Sequence, residues 1–121
     1  MPTLSSAMLS IVMLSSGVIS VNLVGQNAAM LHWKSPTHRQ NGEILTSKMI
    51  DGYTIRYGVD DNIKTITIND PLTHHIKIYD LQNGKNVFLI AAFDTKGMHG
   101  QFSEPVYKTI GRERGDSRRV P

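Results

Sequence analysis

Apolar and polar side chains alternate along most of this chain, and the alternation has the period of two that marks a strand with one buried face. The clearest case is Ile50–Gly58, where Tyr53, Ile55 and Tyr57 point one way and Gly52, Thr54 and Arg56 the other. Asp51-Gly52 at its start and Gly58-Val59-Asp60-Asp61 at its end carry turn chemistry, which bounds the element. The same pattern predicts a first strand from Val18, with Ile19, Val21 and Leu23 alternating with Ser20 and Asn22. A second places Ala29, Leu31 and Trp33 opposite Met30, His32 and Lys34, and ends at Ser35-Pro36, since proline cannot donate to a central ladder. After a polar loop over Thr37–Lys48 and the Tyr53 strand come Ile63–Ile68 and His74–Leu81, the latter with Ile76 and Ile78 facing inward. Asn83-Gly84 reads as a turn. Val87–Phe93 is an unbroken apolar run, which suits a strand buried on both faces or one whose outer face a partner covers. Phe102–Ile110 closes the series, with Pro105 marking an edge position. No stretch between Gln26 and Ile110 shows a helical period, so the expectation is an all-β, seven-stranded antiparallel sandwich.

Residues 1–17 stand apart as a hydrophobic leader, and residues 111–121 as a basic tail on the domain at 18–110. The first 25 residues contain no charged side chain, and Ala7–Leu14 is a compact apolar run. Three readings stay open: a secretory signal peptide cleaved near Ser15-Ser16-Gly17, a membrane anchor from Ala7 to about Val24, or a soluble leader. The expected location is accordingly outside the cytoplasm, periplasmic, cell-surface or extracellular, with a membrane tether through the leader as one form of it. Cysteine is absent, which excludes disulfides and thiolate metal sites. The net charge of +3 is mostly local, because four arginines from Arg112 to Arg119 outnumber Glu113 and Asp116 by two. No basic stripe of the kind that grips nucleic acid runs across the rest, so no specific nucleic-acid binding is expected.

Three segments are best taken together. The first is Asn27–Gly58, with its Leu31-x-Trp33 strand and its Gly52-Tyr53-x-Ile55-x-Tyr57-Gly58 strand; the others are Thr73–Gly84 and Phe88–Ile110. In combination they resemble a fibronectin type III domain, an immunoglobulin-like sandwich, and most nearly its bacterial form. The resemblance implies a sheet of the first, second and fifth strands packed on one of the fourth, third, sixth and seventh. It also implies a core of Trp33, Tyr53, Ile55, Ile78, Leu81, Phe88 and Ile90. One departure concerns the corner before the sixth strand: the tyrosine usual there is replaced by Val87, so the corner must be held by packing and by Gly84. Domains of this family are generally spacers or binding modules, which implies a non-catalytic accessory subunit of a larger bacterial envelope or extracellular assembly.

The chemistry-bearing residues agree with a non-enzyme. His74 and His75 are adjacent on a strand and point to opposite faces, and His32, His38 and His99 have no ligand-spaced neighbour, so no metal site is expected. Asp60-Asp61-Asn62 lacks the spaced acidic loop of a calcium site and suffices as a solvated turn. Neither a phosphate-cradling glycine loop nor a nucleophile elbow is present, and no cofactor is implied. Two candidate sites remain. If Phe88, Ile90 and Ala92 fill the core, then Val87, Leu89, Ala91 and Phe93 form an outer apolar face with Thr54, Arg56 and Tyr107, suited to a protein partner. The tail carries Arg114-Gly115-Asp116-Ser117, the string that serves fibronectin as an adhesion site, and this gives a second reading as a surface adhesin or carbohydrate-associated module.

Overall fold

The computed structural model describes residues 19–36, 44 and 47–111. Seven strands follow in order: β1 (Ile19–Leu23), β2 (Ala29–Trp33), β3 (Ile50–Val59), β4 (Asn62–Ile68), β5 (His75–Ile78), β6 (Gly84–Asp94) and β7 (Val106–Ile110). A single 3-10 turn, Ser47–Met49, leads into β3. The strands form a three-stranded sheet, β1-β2-β5, and a four-stranded sheet, β4-β3-β6-β7, with antiparallel pairing throughout. This is the arrangement the resemblance implied.

β3 is central because it pairs along its length with both β4 and β6. Tyr53, Ile55 and Tyr57 stand opposite Ala92, Ile90 and Phe88, and all six share the face that meets the other sheet. Each of the seven expected core residues is buried, from Trp33 and Tyr53 through Phe88 and Ile90. The alternation of β6 is thereby fixed: Phe88, Ile90 and Ala92 point inward and Leu89 and Ala91 outward.

Three boundaries differ from the sequence reading. β5 begins at His75 and ends at Ile78, well short of Leu81. Asp80 takes a left-handed φ of 54°, and Leu81 leaves the ladder while staying in the core. Asn27 holds it there: its carbonyl accepts from Leu81 N–H at 2.9 Å, and its side-chain amide donates to Leu81 C=O at 3.2 Å. Gly84 is not a turn residue but the first of β6, opposite Ile110. The corner before it is held by Asn86, which is fully buried and donates its side-chain amide to Gln82 C=O at 2.8 Å and Gly84 C=O at 3.2 Å. A buried side-chain amide thus takes the part usually given to a tyrosine hydroxyl, one residue earlier in the chain.

β7 is the third difference, since it starts at Val106 rather than Phe102. The chain before it still runs beside β6, but out of register. Phe88 faces Val106 and Phe93 faces His99, so five steps along β6 are matched by seven on the other side. Pro105, which has no N–H, lies in the expanded stretch, and Ser103 repairs the ladder. Its N–H donates to Ile90 C=O at 2.8 Å, and its hydroxyl oxygen, in place of a carbonyl, accepts from Ile90 N–H at 3.1 Å. Ile19 pairs with Trp33 at one pole of the sandwich, and Ile110 pairs with Gly84 at the other.

Candidate protein-binding face

Cross-strand partners point to the same side of a sheet, so the registers define the outer face of β4-β3-β6-β7 row by row. One row is Thr67, Thr54 and Ala91; the next is Thr65, Arg56 and Leu89; the third is Ile63, Gly58, Val87 and Tyr107. The outward face proposed from the sequence is real in register, but the two residues nearest the β6–β7 connection are not available on it. Ala91 is fully buried and Phe93 is only 7% exposed. The cover is the expanded connection itself. His99 packs against the Phe93 ring at 5.2 Å between centroids and shares a hydrogen bond of 3.1 Å with the Thr54 hydroxyl. Phe102 lies over the same face, with the Arg56 guanidinium 4.6 Å from its ring centre, a cation–π contact.

Asp94 positions this cover. Its carboxylate accepts from the N–H groups of Lys96 and Met98, both at 2.9 Å, and its backbone N–H donates to Met98 C=O. Gly97, at a φ of 81°, closes the turn in a conformation that disfavours other residues. Away from the cover the face is open. Ile63 is 41% and Tyr107 50% exposed, Val87 and Leu89 are half-buried, and Lys85 Nζ sits 4.6 Å over the Tyr107 ring. Gly58, between Ile63 and Val87 in this row, is buried and contributes no side chain.

The other candidate residues are placed as follows. Asp60 and Asp61 form the two-residue link between β3 and β4, with Val59 facing Asn62. The Asn62 amide is engaged by Gln82 Oε1 at 2.8 Å. Arg114, Gly115, Asp116 and Ser117 lie outside the described residues, as do the leader and its membrane-tether reading. His74 does stand apart from His75: its ring nitrogen is 2.8 Å from the Ser35 hydroxyl, which is in turn 3.0 Å from the Tyr53 hydroxyl. His75 instead faces His32 across the β2–β5 ladder, a neighbour that sequence spacing did not supply. Aligning Leu31 with Ile76 as inward residues would have found it.

Burial pushes the Tyr53 hydroxyl above the ordinary tyrosine value of 10.0, while the Ser35 hydrogen bond and the Trp33 indole pull it down less strongly. The Trp33 ring lies 5.3 Å from that of Tyr53, and its Nε1 is buried with no hydrogen-bond partner among the described residues. The folded state therefore keeps the proton longer than the unfolded chain does. Stability contributed by Tyr53 is intact below the unfolded value and is lost as pH rises beyond it. Urea midpoints measured from about pH 8 to pH 11 should fall at the alkaline end, and Tyr53→Phe should flatten that fall. An unchanged slope in the variant would assign the loss to other groups.

No family model matches the chain. A curated relative, the tyrosine-protein phosphatase Lar-like protein of Caenorhabditis elegans, is 29% identical over 94 residues, which is 77% of this chain. The chain spans only 4% of that protein's length. Among solved structures, the third fibronectin III domain of the human KIAA0343 protein matches with a TM-score of 0.63 at 19% identity, over 92% of this chain and 90% of that one. The chicken CNTN1 FN1–FN3 domains match at 0.63 and 18% identity, over 82% of this chain and 32% of theirs. A myokine structure matches at 0.59 and 20% identity, over 81% of this chain and 98% of its own. The sources named for these proteins are nematode, human and chicken, so the bacterial form of the resemblance gains no support from them. Two antiparallel sheets in this strand order, with these structural neighbours, give the chain the fold of a fibronectin type III domain.

Proposed function

We propose that this domain is a non-catalytic protein-binding and structural module of a larger assembly, and that its contact face is the open part of the four-stranded sheet. The observation that carries the proposal is the row Ile63, Gly58, Val87 and Tyr107, bordered by Leu89 and Arg56. It joins partly exposed aliphatic side chains to a half-exposed tyrosine and an arginine, the residue types that dominate binding energy at protein interfaces. The contact residues are thus Val87, Leu89, Arg56 and Tyr107 from the face expected on the sequence, with Ile63 added and the covered Ala91 and Phe93 removed. An exported or membrane-tethered location belongs to the same proposal and rests on the uncharged, apolar segment 1–17. Intact mass and membrane fractionation of the native protein test that part.

The face is tested by placing a photo-crosslinking residue at Tyr107 and, as a control, at Asn22 on the outer side of the other sheet. Expression in the native source should give a discrete crosslinked partner from position 107 alone, lost on adding Leu89→Lys. That substitution would bury an unpaired charge at the contact. Equal crosslinking from both sheets, or a protein that stays monomeric and uncrosslinked, would overturn the assignment.

A further inference from the structure

We propose that His32 and His75 form a two-imidazole site for a borderline divalent transition-metal ion, with Cu2+ preferred over Ni2+ and Zn2+. The two residues are direct cross-strand partners on β2 and β5, and both side chains are exposed on the outer face of the three-stranded sheet. Trp33 N–H donates to His74 C=O at 3.0 Å, which makes 33 and 74 the hydrogen-bonded pair. The neighbouring pair, 32 and 75, is then the non-hydrogen-bonded kind, in which facing side chains come closest. β2 is paired on both edges, so the backbone that carries His32 is fixed.

The separation of the two rings suits one ion. An imidazole nitrogen binds such a metal at about 2.0–2.1 Å, which puts the ring centre about 3.2 Å from it. Two rings on one ion then have centres separated by about 4.5 Å at a right angle and about 6.4 Å when opposed. The observed separation is 5.8 Å, inside that window; the rings are stacked, their planes 30° apart, and rotation of these exposed side chains turns a nitrogen of each onto a shared ion. Among the described residues neither ring nitrogen has a hydrogen-bond partner, whereas His74 is engaged by Ser35 and His99 by Thr54. Lys77, two residues along from His75, has its Nζ 5.0 Å from the Tyr79 ring.

Among the described residues no third histidine, cysteine or carboxylate joins the pair, so water completes the coordination. Two neutral nitrogens without oxygen donors favour copper, nickel and zinc over magnesium or calcium, and the ordinary affinity order puts copper first.

Titration of the full chain with CuCl2, NiCl2 and ZnCl2 by calorimetry should show one equivalent bound, most tightly for copper. Nickel at substoichiometric amounts should broaden the ring signals of His32 and His75 ahead of those of the other histidines. His32→Ala and His75→Ala should each weaken binding at least about tenfold, since half of the protein ligand set is lost. His74→Ala and His99→Ala should bind as the parent does, and His32→Gln serves if the alanine variant folds poorly. Absence of binding by the parent, unchanged affinity in either the His32 or the His75 variant, or broadening at other histidines first would each overturn the site.

Discussion

Phe88→Lys should abolish the cooperative melt, while Leu89→Lys should melt within a few degrees of the parent. Phe88 is fully buried between the sheets, its ring stacked near that of Tyr57 at 6.4 Å between centroids. An ammonium placed there loses the packing of an aromatic ring and has no described carboxylate to pair with. The cost is several kcal/mol, set against a total stability of about 5–15 kcal/mol for a typical domain. Leu89 is half-buried on the opposite side, where a lysine stem can lie along the sheet and its charge reach water. There the loss should be about 1 kcal/mol or less. Thermal and urea melts of the two variants, run in parallel, measure both. A mild Phe88→Lys beside a collapsing Leu89→Lys would show β6 to be rotated by one residue and would remove the proposed contact face.

Adding one methyl group to β3 should be nearly as damaging. A Cβ on Gly52 would sit 2.0 Å from the Ile68 carbonyl oxygen and 2.6 Å from the tip of the Phe93 ring. On Gly58 it would sit 2.1 Å from the Asn62 carbonyl oxygen, at a φ of 150°. The obstacles are mostly backbone atoms of β4, so no side-chain rotation relieves them. The β3–β4 ladder must part, at about 3 kcal/mol or more for each of Gly52→Ala and Gly58→Ala. Gly52 also marks the register irregularity between Ile50 and Gly52, which lets Phe93 lie across the sheet. Hydrogen exchange should report the loss first at Thr65, Thr67 and their β4 neighbours. Wild-type stability in both variants would mean that the hairpin can open at this point without cost.

The core and the sheet order were legible because they follow from alternation. Once Tyr53 and Ile55 face inward, period two assigns Thr54 and Arg56 outward, and the same holds for Phe88 and Leu89. The cover over Ala91 was not legible, because it depends on two extra residues opposite β6 and on a serine hydroxyl standing in for a carbonyl. Neither leaves a mark in hydrophobic pattern; Pro105 signalled an edge but not the slip. Asn86 was hidden for a related reason. An asparagine just after Asn83-Gly84 reads as turn chemistry, and only its burial shows that it ties the corner. The His32–His75 pair required a register between strands far apart in sequence, which spacing along one strand cannot provide.

The two poles at which β1 begins and β7 ends have a mechanical meaning. A pull applied between Ile19 and Ile110 runs along the strands, nearly at right angles to the ladder hydrogen bonds that join β1 to β2 and β6 to β7. Such a load shears all the bonds of a ladder at once instead of opening them one after another, so the domain resists extension as a unit. Gly84 opposite Ile110, backed by the Asn86 amide, is where the tension enters β6.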